Sequence, residues 1–355
     1  MSGGSARSLQ ALVLAAALFL AAALVSAAAP AHAGALLVGV SWSNFQEERW
    51  KSDEAALRAG LEARGARVLS TDAQSSSEKQ LADIETLLAR GADVLVIVAN
   101  DADTMRPGVA QAQAQGVPVV AYDRLIEIPG VFYVSFDNVE VGRIQAREIL
   151  RARPSGRYAF IKGAATDPNS DFVHAGQLEV LAEAIAAGRI EVVGDQYVDG
   201  WLPEVAQRVM EQILTRNADR VDAVVCSNDG MAGGVVAALS AQGLEGLPVS
   251  GQDGDHAALN RVARGTQTVS VWKDARALGA RAAEVALALA SKTGTAEIRG
   301  TTRWRSGPRG VELDALLLAP IPITRDRLHE VIDAGWISKA AVCLGTADDP
   351  PPACR

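Results

Sequence analysis

The sequence predicts an α/β protein built from two doubly wound parallel-sheet domains. Short runs rich in Val and Ile alternate with segments whose apolar residues recur at helical spacing, such as Leu81, Ile84, Leu87 and Leu88. Runs of this kind are typical of buried parallel strands. The alternating series occurs twice in 355 residues, a length that exceeds what one compact domain usually holds.

The first series predicts strands separated by helices that end at glycines. Its strands are expected at 35–42, 67–73, 92–99, 117–123 and 131–137, and its helices near 47–64, 76–90 and 104–115. Gly65, Gly91 and Gly116 stand where these helices should end, because glycine adopts the left-handed conformation of a helix C-terminus.

The second series continues the same alternation. Its strands are expected at 157–163, 191–198, 222–228, 249–253 and 266–273, and its helices near 138–152, 171–187, 203–216, 230–242 and 255–263. A further helix is expected at about 275–290, and a last apolar strand at 313–323. This order permits three crossings between the domains, near Asn138, Asp274 and Gly307.

The first 33 residues have the composition of a secretory signal peptide. Arg7 precedes an apolar stretch from Leu9 to about Ala29, and the segment 31–33 reads Ala-His-Ala, the spacing of a signal-peptidase site. An uncleaved anchor is the alternative, because the stretch is nearly long enough to span a bilayer. We expect cleavage and a soluble, exported mature protein.

The charge of the chain argues against a nucleic-acid partner. Its formal net charge is −8, and removal of 1–33 takes away one cation and no anion. Nucleic-acid-binding domains carry basic patches that attract phosphates, and an acidic balance of this size disfavours them.

Three cysteines are present. Cys343 and Cys354 flank a proline-rich tail at 341–355, and in an exported protein they are well placed for a disulfide, although a reduced, disordered tail is the alternative. Cys226 lies within an apolar strand and is expected to be buried. The thiols are too few and too badly spaced for a zinc site, so no metal is expected.

Five apolar runs end in polar, hydrogen-bonding residues. They end at Asp101, Arg124, Asp229, Asp253 and Lys273. In open α/β sheets ligands bind beyond the carboxyl ends of the strands, so these endings predict a binding site. Asp, Asn, Arg and Lys beside Trp and Tyr suit a neutral polyhydroxylated ligand better than a phosphate or a metal.

Several segments together resemble one known family. They are EERWKSD (47–53), AYDR (121–124), SFDN (135–138), GDQYVDGWLPE (194–204), SNDGMAGG (227–234), ALSAQGL (238–244), SGQD (250–253) and GTQT (265–268). From about Leu36 to Trp336 the chain resembles the type I periplasmic sugar-binding proteins of bacterial ABC importers, within them the D-xylose-binding proteins.

The resemblance implies two domains joined by a multi-strand hinge, which close on one sugar without a cofactor and without catalysis. It places 34–138 and about 274–307 in the N-terminal domain, and 139–273 and about 308–340 in the C-terminal domain. It also implies a periplasmic monomer that delivers D-xylose, or a close aldopentose, to a permease of the inner membrane. Glucose, ribose and arabinose remain alternative ligands, and a chemoreceptor is a further candidate partner.

Nine residues form the expected ligand shell by this resemblance. They are Arg49, Trp50, Asp123, Arg124, Asn169, Trp201, Asn228, Asp253 and Lys273. Carboxylates and amides can accept bonds from sugar hydroxyls, cations donate to them, and the indoles offer flat apolar faces. Taken singly, the Asp123–Arg124 pair would also fit a strand end, and each Trp would fit core or a loop.

The chain departs from the family pattern near the expected cleft. Lys162 and Pro168 alter a turn that is usually Gly-Gly with paired Asn, and Tyr197 stands where Trp is common. The segment ahead of Glu48 also differs.

An enzyme acting on sugars is the main alternative of another class, because α/β folds host many chemistries. The chain has no phosphate-binding loop of Walker type and no nucleophile elbow. Asp253 and Asp255 could act as paired carboxylates, but a binding loop is the simpler interpretation. A calcium loop at Asp167, Asn169 and Asp171 lacks the required glycine and the terminal Glu.

Overall fold

The computed structural model of the chain describes residues 35–295 and 298–355. The predicted signal peptide at 1–33 lies outside the described residues. From Leu36 to Arg355 the chain forms one compact unit. None of the helices in these ranges combines the length and the apolar character that a membrane crossing requires.

Thirteen strands lie in the described residues. They are β1 (Leu37–Trp42), β2 (Arg67–Asp72), β3 (Val94–Ile97), β4 (Val119–Tyr122), β5 (Phe132–Phe136), β6 (Gly156–Lys162), β7 (Ile190–Tyr197), β8 (Ala223–Cys226), β9 (Ser250–Asp253), β10 (Val269–Trp272), β11 (Thr301–Trp304), β12 (Leu313–Leu318) and β13 (Ile321–Ile323).

Eleven α-helices accompany them in the same part of the chain. They are α1 (Arg49–Glu62), α2 (Ser77–Ala89), α3 (Arg106–Ala114), α4 (Asn138–Ala152), α5 (Pro168–Ala186), α6 (Pro203–Arg216), α7 (Asp229–Ala241), α8 (His256–Arg264), α9 (Ala275–Ala290), α10 (Leu328–Asp333) and α11 (Lys339–Val342). Short 3₁₀ helices lie at Asp199–Trp201 and Pro352–Cys354.

The first layer is a seven-stranded sheet in the order β11-β12-β5-β4-β3-β1-β2. All of its neighbouring strands are parallel except β11, which is antiparallel to β12. Apolar residues of α1 and α9 pack on one face of this sheet, and those of α2 and α3 pack on the other. Burial on both faces explains why its central strands are continuous apolar runs.

The second layer consists of two three-stranded sheets, β7-β6-β8 and β9-β10-β13. A parallel bridge between Val224 of β8 and Val249, directly before β9, connects their edges. Helices α6 and α7 cover one face of the first of these sheets, and α4 and α5 cover the other. Except for β13, which is antiparallel to β10, the strands of the second layer also pair in parallel, and two mainly parallel layers flanked by helices confirm the predicted fold class.

Side-chain caps determine where several helices begin. The Asp137 carboxylate accepts the Glu140 N–H at 3.0 Å at the start of α4, and the Asp167 carboxylate accepts the Asn169 N–H at 3.0 Å at the start of α5. Pro168 occupies the first turn of α5, where its missing N–H costs nothing. Helix α5 therefore starts three residues before the predicted position, and Asn169 lies in its first turn.

The last predicted strand, at 313–323, is wrong as a single element. Residues 313–318 form β12 and pair with β5 in the seven-stranded sheet, whereas 321–323 form β13 and pair with β10 in the second layer. Pro320 separates them, and proline has no N–H for a strand ladder. The chain therefore passes from the first layer to the second at 319–320. The division of the chain into two domains stays a prediction.

Two features near the C-terminus complete the fold. Strand β11 was not predicted, because its sequence, TTRW, has no apolar run and forms the exposed edge of the sheet. Cys343 and Cys354 form the expected disulfide, and Cys226 is buried and free. Both bridged cysteines pack against the apolar cluster of α8 and α10, which attaches the tail to the second layer.

Candidate functional site

All nine predicted ligand residues line one small cavity between the two layers. Asp123 directly follows β4, Asp253 ends β9 and Lys273 directly follows β10. Arg49 and Trp50 begin α1. Strand ends and helix starts from both layers therefore converge at one place, although the binding role of these residues stays a prediction.

Four of the five polar strand endings contribute a residue to this cavity, the one after β8 through Asn228 and not Asp229, and the ending after β3 contributes none. Asp101, after β3, accepts the backbone N–H groups of Asp103 and Thr104 at 2.9 Å each. Asn100 donates its side-chain amide to the Ser77 hydroxyl and does not line the cavity. The polar residues after β3 stabilise their own turn, so the expectation that all five endings form the site is wrong for this strand.

Ion pairs cross the cavity from one layer to the other. The Arg49 Nη1 atom lies 2.9 Å from an Asp123 carboxylate oxygen and 3.2 Å from one of Asp253. Lys273 Nζ lies 3.2 Å from Asp123 and 3.6 Å from Asp253. Two cations and two carboxylates thus form a closed cluster in which each charge has partners on both sides.

The electrostatics of this cluster keep Asp123 ionised. Burial alone would raise its pKa, but the charges of Arg49, Lys273 and Arg124 outweigh burial and hold the pKa of Asp123 well below its usual range. Asn169 adds to this by donating its amide to the Asp123 carboxylate at 3.1 Å. Asp123 is therefore a carboxylate acceptor at every physiological pH.

Contacts outside the cavity hold Arg49 in place. Its Nε lies 3.0 Å from the Asp53 carboxylate, one helical turn further along α1, and Tyr122 donates its hydroxyl to the same carboxyl group. Burial raises the pKa of Asp53 to about 6, against the opposing charge of Arg49. The Arg49 guanidinium is thus held by Asp53 on one side and lines the cavity on the other.

Arg124 is held by three acceptors. Its Nε lies 3.0 Å from Asp167, Nη2 lies 3.3 Å from Glu47, and Nη1 donates to the Ala99 carbonyl at 3.1 Å. Burial raises the pKa of both Glu47 and Asp167, and the charge of Arg124 opposes that rise. A planar guanidinium held in this way presents its remaining N–H groups in a fixed direction.

Two indole rings supply the apolar part of the lining. The Trp50 ring lies 4.6 Å from the Arg49 guanidinium carbon, and its Nε1 donates to Glu47 at 2.5 Å. Trp201 lies in the 3₁₀ helix before α6 with a φ of 59°. A Cβ on Gly163 would lie 2.1 Å from the Trp201 ring, so a glycine at that position is required for the ring to occupy its site.

Three side-chain amides at the site differ in how many of their hydrogen bonds are made. The Asn228 side-chain oxygen Oδ1 accepts the Met231 N–H at 2.9 Å and so caps α7. Asn169 accepts the Asn138 amide at 2.9 Å. In contrast, Gln252 is 3% exposed, lines the cavity, and has an Oε1 atom without a partner in the described residues.

Sequence reasoning missed three residues of the lining, namely Glu47, Asp167 and Gln252. Each stands one or two positions from a predicted ligand residue. Their proximity in sequence was the available signal. It was not decisive, because neighbouring residues on a helix start or strand end point in different directions.

A larger cavity, of about 500 Å³, lies beside this one. Leu125, Pro168 and Phe172 line it, and none of the nine predicted residues does. Its Glu127 carboxylate is occupied by the backbone N–H groups of Arg309 and Val311, at 2.8 and 2.9 Å. Charged residues also line it, and two of these, Asp103 and Arg309, pair with each other.

The arrangement is suited to binding and contains no visible centre for metal chemistry. Within 35–295 and 298–355, no group of three or more His, Cys, Asp or Glu side chains is placed to hold a metal ion. The cavity measures about 20 Å³, room for one or two water molecules. In this structure the charged side chains thus satisfy one another across a nearly closed cleft.

Comparisons with known proteins agree with this geometry. Residues 38–294 match the model of the periplasmic binding protein domain. The D-xylose-binding periplasmic protein of Haemophilus influenzae is 39% identical over 315 residues, which cover 88% of this chain and 93% of that protein. The protein of the same name from Escherichia coli K12 is 39% identical over 85% of this chain and 91% of its own length.

A solved structure is also similar. The solute-binding protein of an ABC transporter from Clostridium phytofermentans, with bound β-D-glucose, superposes with a TM-score of 0.77 at 28% identity. The superposition covers 86% of this chain and 99% of that one. All three relatives are named as binding proteins, which confirms the prediction of a binding protein. The chain belongs to the periplasmic binding protein family and has its type I fold.

Proposed function

We propose that this chain is the exported substrate-binding protein of an ABC sugar importer and that it binds D-xylose, or a close aldopentose, in the cleft between its two layers. One observation carries the proposal: the nine residues expected to bind sugar all line a single cavity. The names of the relatives at 39% identity support D-xylose as the ligand.

The chemistry of the lining suits a neutral sugar. Each sugar hydroxyl both donates and accepts, and the cleft offers carboxylates next to cations, as at Asp123 and Lys273, 3.2 Å apart. A hydroxyl can accept from the cation and donate to the carboxylate at once. Charge-assisted bonds of this kind are stronger than neutral ones, and Trp50 and Trp201 would cover the C–H faces of the ring.

Selectivity follows from the cost of unpaired groups. A buried polar group left without a partner costs about 1–3 kcal/mol, so an epimer that misplaces one hydroxyl loses roughly tenfold or more in affinity. Gln252 lines this cleft and has one unused acceptor, which is a candidate partner for a ligand hydroxyl.

The size of the cavity implies that the cleft opens to admit the ligand. A monosaccharide has several times the volume of a water molecule, and the cavity of about 20 Å³ holds one or two waters. The cross-cleft pairs of Arg49 with Asp253 and of Lys273 with Asp123 must therefore separate. Sugar bound to both sides would then stabilise the closed form, which the permease would recognise.

The remaining parts of the proposal follow from the family. The mature protein would act as a monomer in the periplasm after removal of residues 1–33, and its partner would be the permease of the inner membrane. A chemoreceptor is a second candidate partner. Glucose is the alternative ligand with the most direct support, because the similar structure from Clostridium phytofermentans holds it.

The test is a calorimetric titration of the mature protein, freed of co-purified sugar by unfolding and refolding, with aldopentoses and aldohexoses. We expect one-to-one binding that is tightest for D-xylose. Asp253→Ala and Asn228→Ala should each weaken binding at least tenfold, about 1.4 kcal/mol. Asp348→Ala, in the exposed tail, is the matched control and should bind like the wild type.

Three outcomes would count against parts of the proposal. Tightest binding of another sugar would replace the ligand and retain the class. Unchanged affinity in both cleft variants would reject the site. Conversion of any added sugar to a product, followed by NMR, would support the enzyme alternative.

A further inference from the structure

Asp229 is a buried carboxylate that has no part in the proposed ligand shell. It follows Asn228 at the start of α7 and is completely buried. We propose that Asp229 is a positioning residue that holds the Asp253 carboxylate in its ligand-binding orientation. This inference rests on the proposed function, because it concerns how one ligand residue of that site is held.

Four donors converge on the Asp229 carboxylate. Oδ2 accepts the backbone N–H groups of Gly254 and Asp255, each at 3.0 Å, and the Ser270 hydroxyl. Oδ1 accepts the Gln267 amide at 2.8 Å. The two N–H groups belong to the residues directly after Asp253, so the carboxylate ties down the turn on which Asp253 stands.

That turn has a conformation that requires outside support. Asp253 has a φ of 101° and Gly254 a φ of 77°. A positive φ is unfavourable for a residue with a Cβ and persists only where surrounding contacts impose it. This backbone conformation directs the Asp253 carboxylate into the cleft, where it lies 3.2 Å from Arg49 and 3.6 Å from Lys273.

The Asp229 carboxylate is closely packed against its neighbours. A Cβ on Gly251 would lie 2.1 Å from Asp229 Oδ1, so the carboxylate lies directly against the backbone of β9. Arg261 donates to the Asp229 carbonyl oxygen at 2.7 Å and to the Gln267 Oε1 at 3.0 Å. The second of these bonds turns the Gln267 NH₂ group toward the carboxylate.

The charge of Asp229 matters because its partners donate. An amide at position 229 would place an NH₂ group against N–H donors on one side, which removes one set of bonds and adds repulsion. Burial raises the pKa of Asp229 to about 7, while the Ser270 hydroxyl and the charge of Arg261 lower it. Binding is therefore best measured at about pH 8, where the ionised carboxylate dominates.

The experiment is a double-mutant cycle of Asp229→Asn with Asp253→Asn, using D-xylose affinity by calorimetry at about pH 8. We expect Asp229→Asn alone to weaken binding about tenfold, the loss of roughly one charge-assisted bond. In the Asp253→Asn background the same change should weaken binding by less than about twofold, because the group that it positions is already altered. A residue that affected affinity independently of Asp253 would give additive losses, and one that only stabilised the fold would leave the affinity within about twofold of the wild type.

A matched control separates positioning from stability. Asp222 is a half-buried carboxylate that accepts the Arg157 N–H at 2.8 Å and directly precedes β8, at the end of that strand remote from the cleft. Asp222→Asn should lower the thermal midpoint and leave the affinity within about twofold of the wild type. If Asp229→Asn does not fold, Ser270→Ala replaces it in the cycle, with an expected loss of about threefold.

Each outcome has a distinct meaning. Additive losses, or an Asp229→Asn affinity within about twofold of the wild type, would overturn the positioning role while leaving the proposed function intact. If the wild type binds no sugar in the panel, the proposed function fails and this inference fails with it. Strong coupling between the two positions would support both.

Discussion

Replacement of Arg49 by Met tests whether the cluster of charges in the cleft depends on one buried guanidinium. Arg49 is 2% exposed and lies within 3.2 Å of Asp53, Asp123 and Asp253. Its loss leaves three buried carboxylates with only Lys273 and more distant cations to compensate. Breaking a buried ion pair by removing one partner costs about 3–5 kcal/mol, so we expect unfolding free energy to fall by that amount at neutral pH.

The same variant should show a specific dependence on pH. The pKa of Asp53 is already raised to about 6 by burial, and loss of the opposing Arg49 charge raises it further. A carboxyl group whose folded pKa exceeds its unfolded value adds stability at low pH and loses that contribution as pH rises through the folded pKa. The difference in unfolding free energy between the wild type and Arg49→Met should therefore become smaller as pH falls from neutral to about 5.

The assay is urea denaturation of wild type and variant at both pH values, followed by circular dichroism. Arg58→Met is the matched control, because Arg58 lies on the same helix, is 37% exposed, and pairs with Glu54 at 3.2 Å. It should cost about 0.5 kcal/mol or less. A cost below about 1 kcal/mol for Arg49→Met, or a deficit that grows toward acid pH, would refute the electrostatic reasoning.

Three further predictions follow from particular contacts. Gly163→Ala should weaken sugar binding at least tenfold by calorimetry, because the new Cβ would lie 2.1 Å from the Trp201 ring and displace it from the cavity. Replacing Cys343 and Cys354 together by Ser should lower the unfolding free energy by about 2–3 kcal/mol in urea, because the disulfide closes a short loop that attaches the tail. Asp53→Asn should remove a proton-linked contribution to stability: as pH falls from about 7 to about 4, the unfolding free energy of the wild type should rise by up to about 3 kcal/mol relative to that of the variant, since the Asp53 pKa of about 6 exceeds the ordinary value of 3.8.

Each of these has its own control. Gly230→Ala is compared with Gly163→Ala, because the nearest atom to a Cβ at position 230 is 3.6 Å away, and equal losses would reject the Trp201 argument. The cysteine variant is compared with the wild type in reducing agent, and agreement between unreduced wild type and variant would show that the bridge adds nothing. A constant difference between wild type and Asp53→Asn across pH would mean that Asp53 does not titrate in this range.

Much of the fold was predictable because local signals agreed with one another. Apolar runs that are buried on both faces formed β1, β3, β4 and β5 close to the expected positions, and left-handed glycines such as Gly65 and Gly91 follow the helices as predicted. Strand β11 was missed because an exposed edge strand needs no apolar run. The single strand predicted at 313–323 failed because pairing partners, and not hydrophobicity, decide which sheet a strand joins.

The sequence by itself determined the alternation of strands and helices, the family, and which side chains are available at the strand ends. These follow from local periodicity and from residue types, both of which are properties of the sequence itself. Only the tertiary structure decided which of those ends meet. It excluded Asp101, added Gln252 and Glu47 to the cavity, and bonded Asp229 to the turn that carries Asp253. The physical reason is that hydrogen bonds and ion pairs act over about 3 Å in space, and sequence separation does not record that distance.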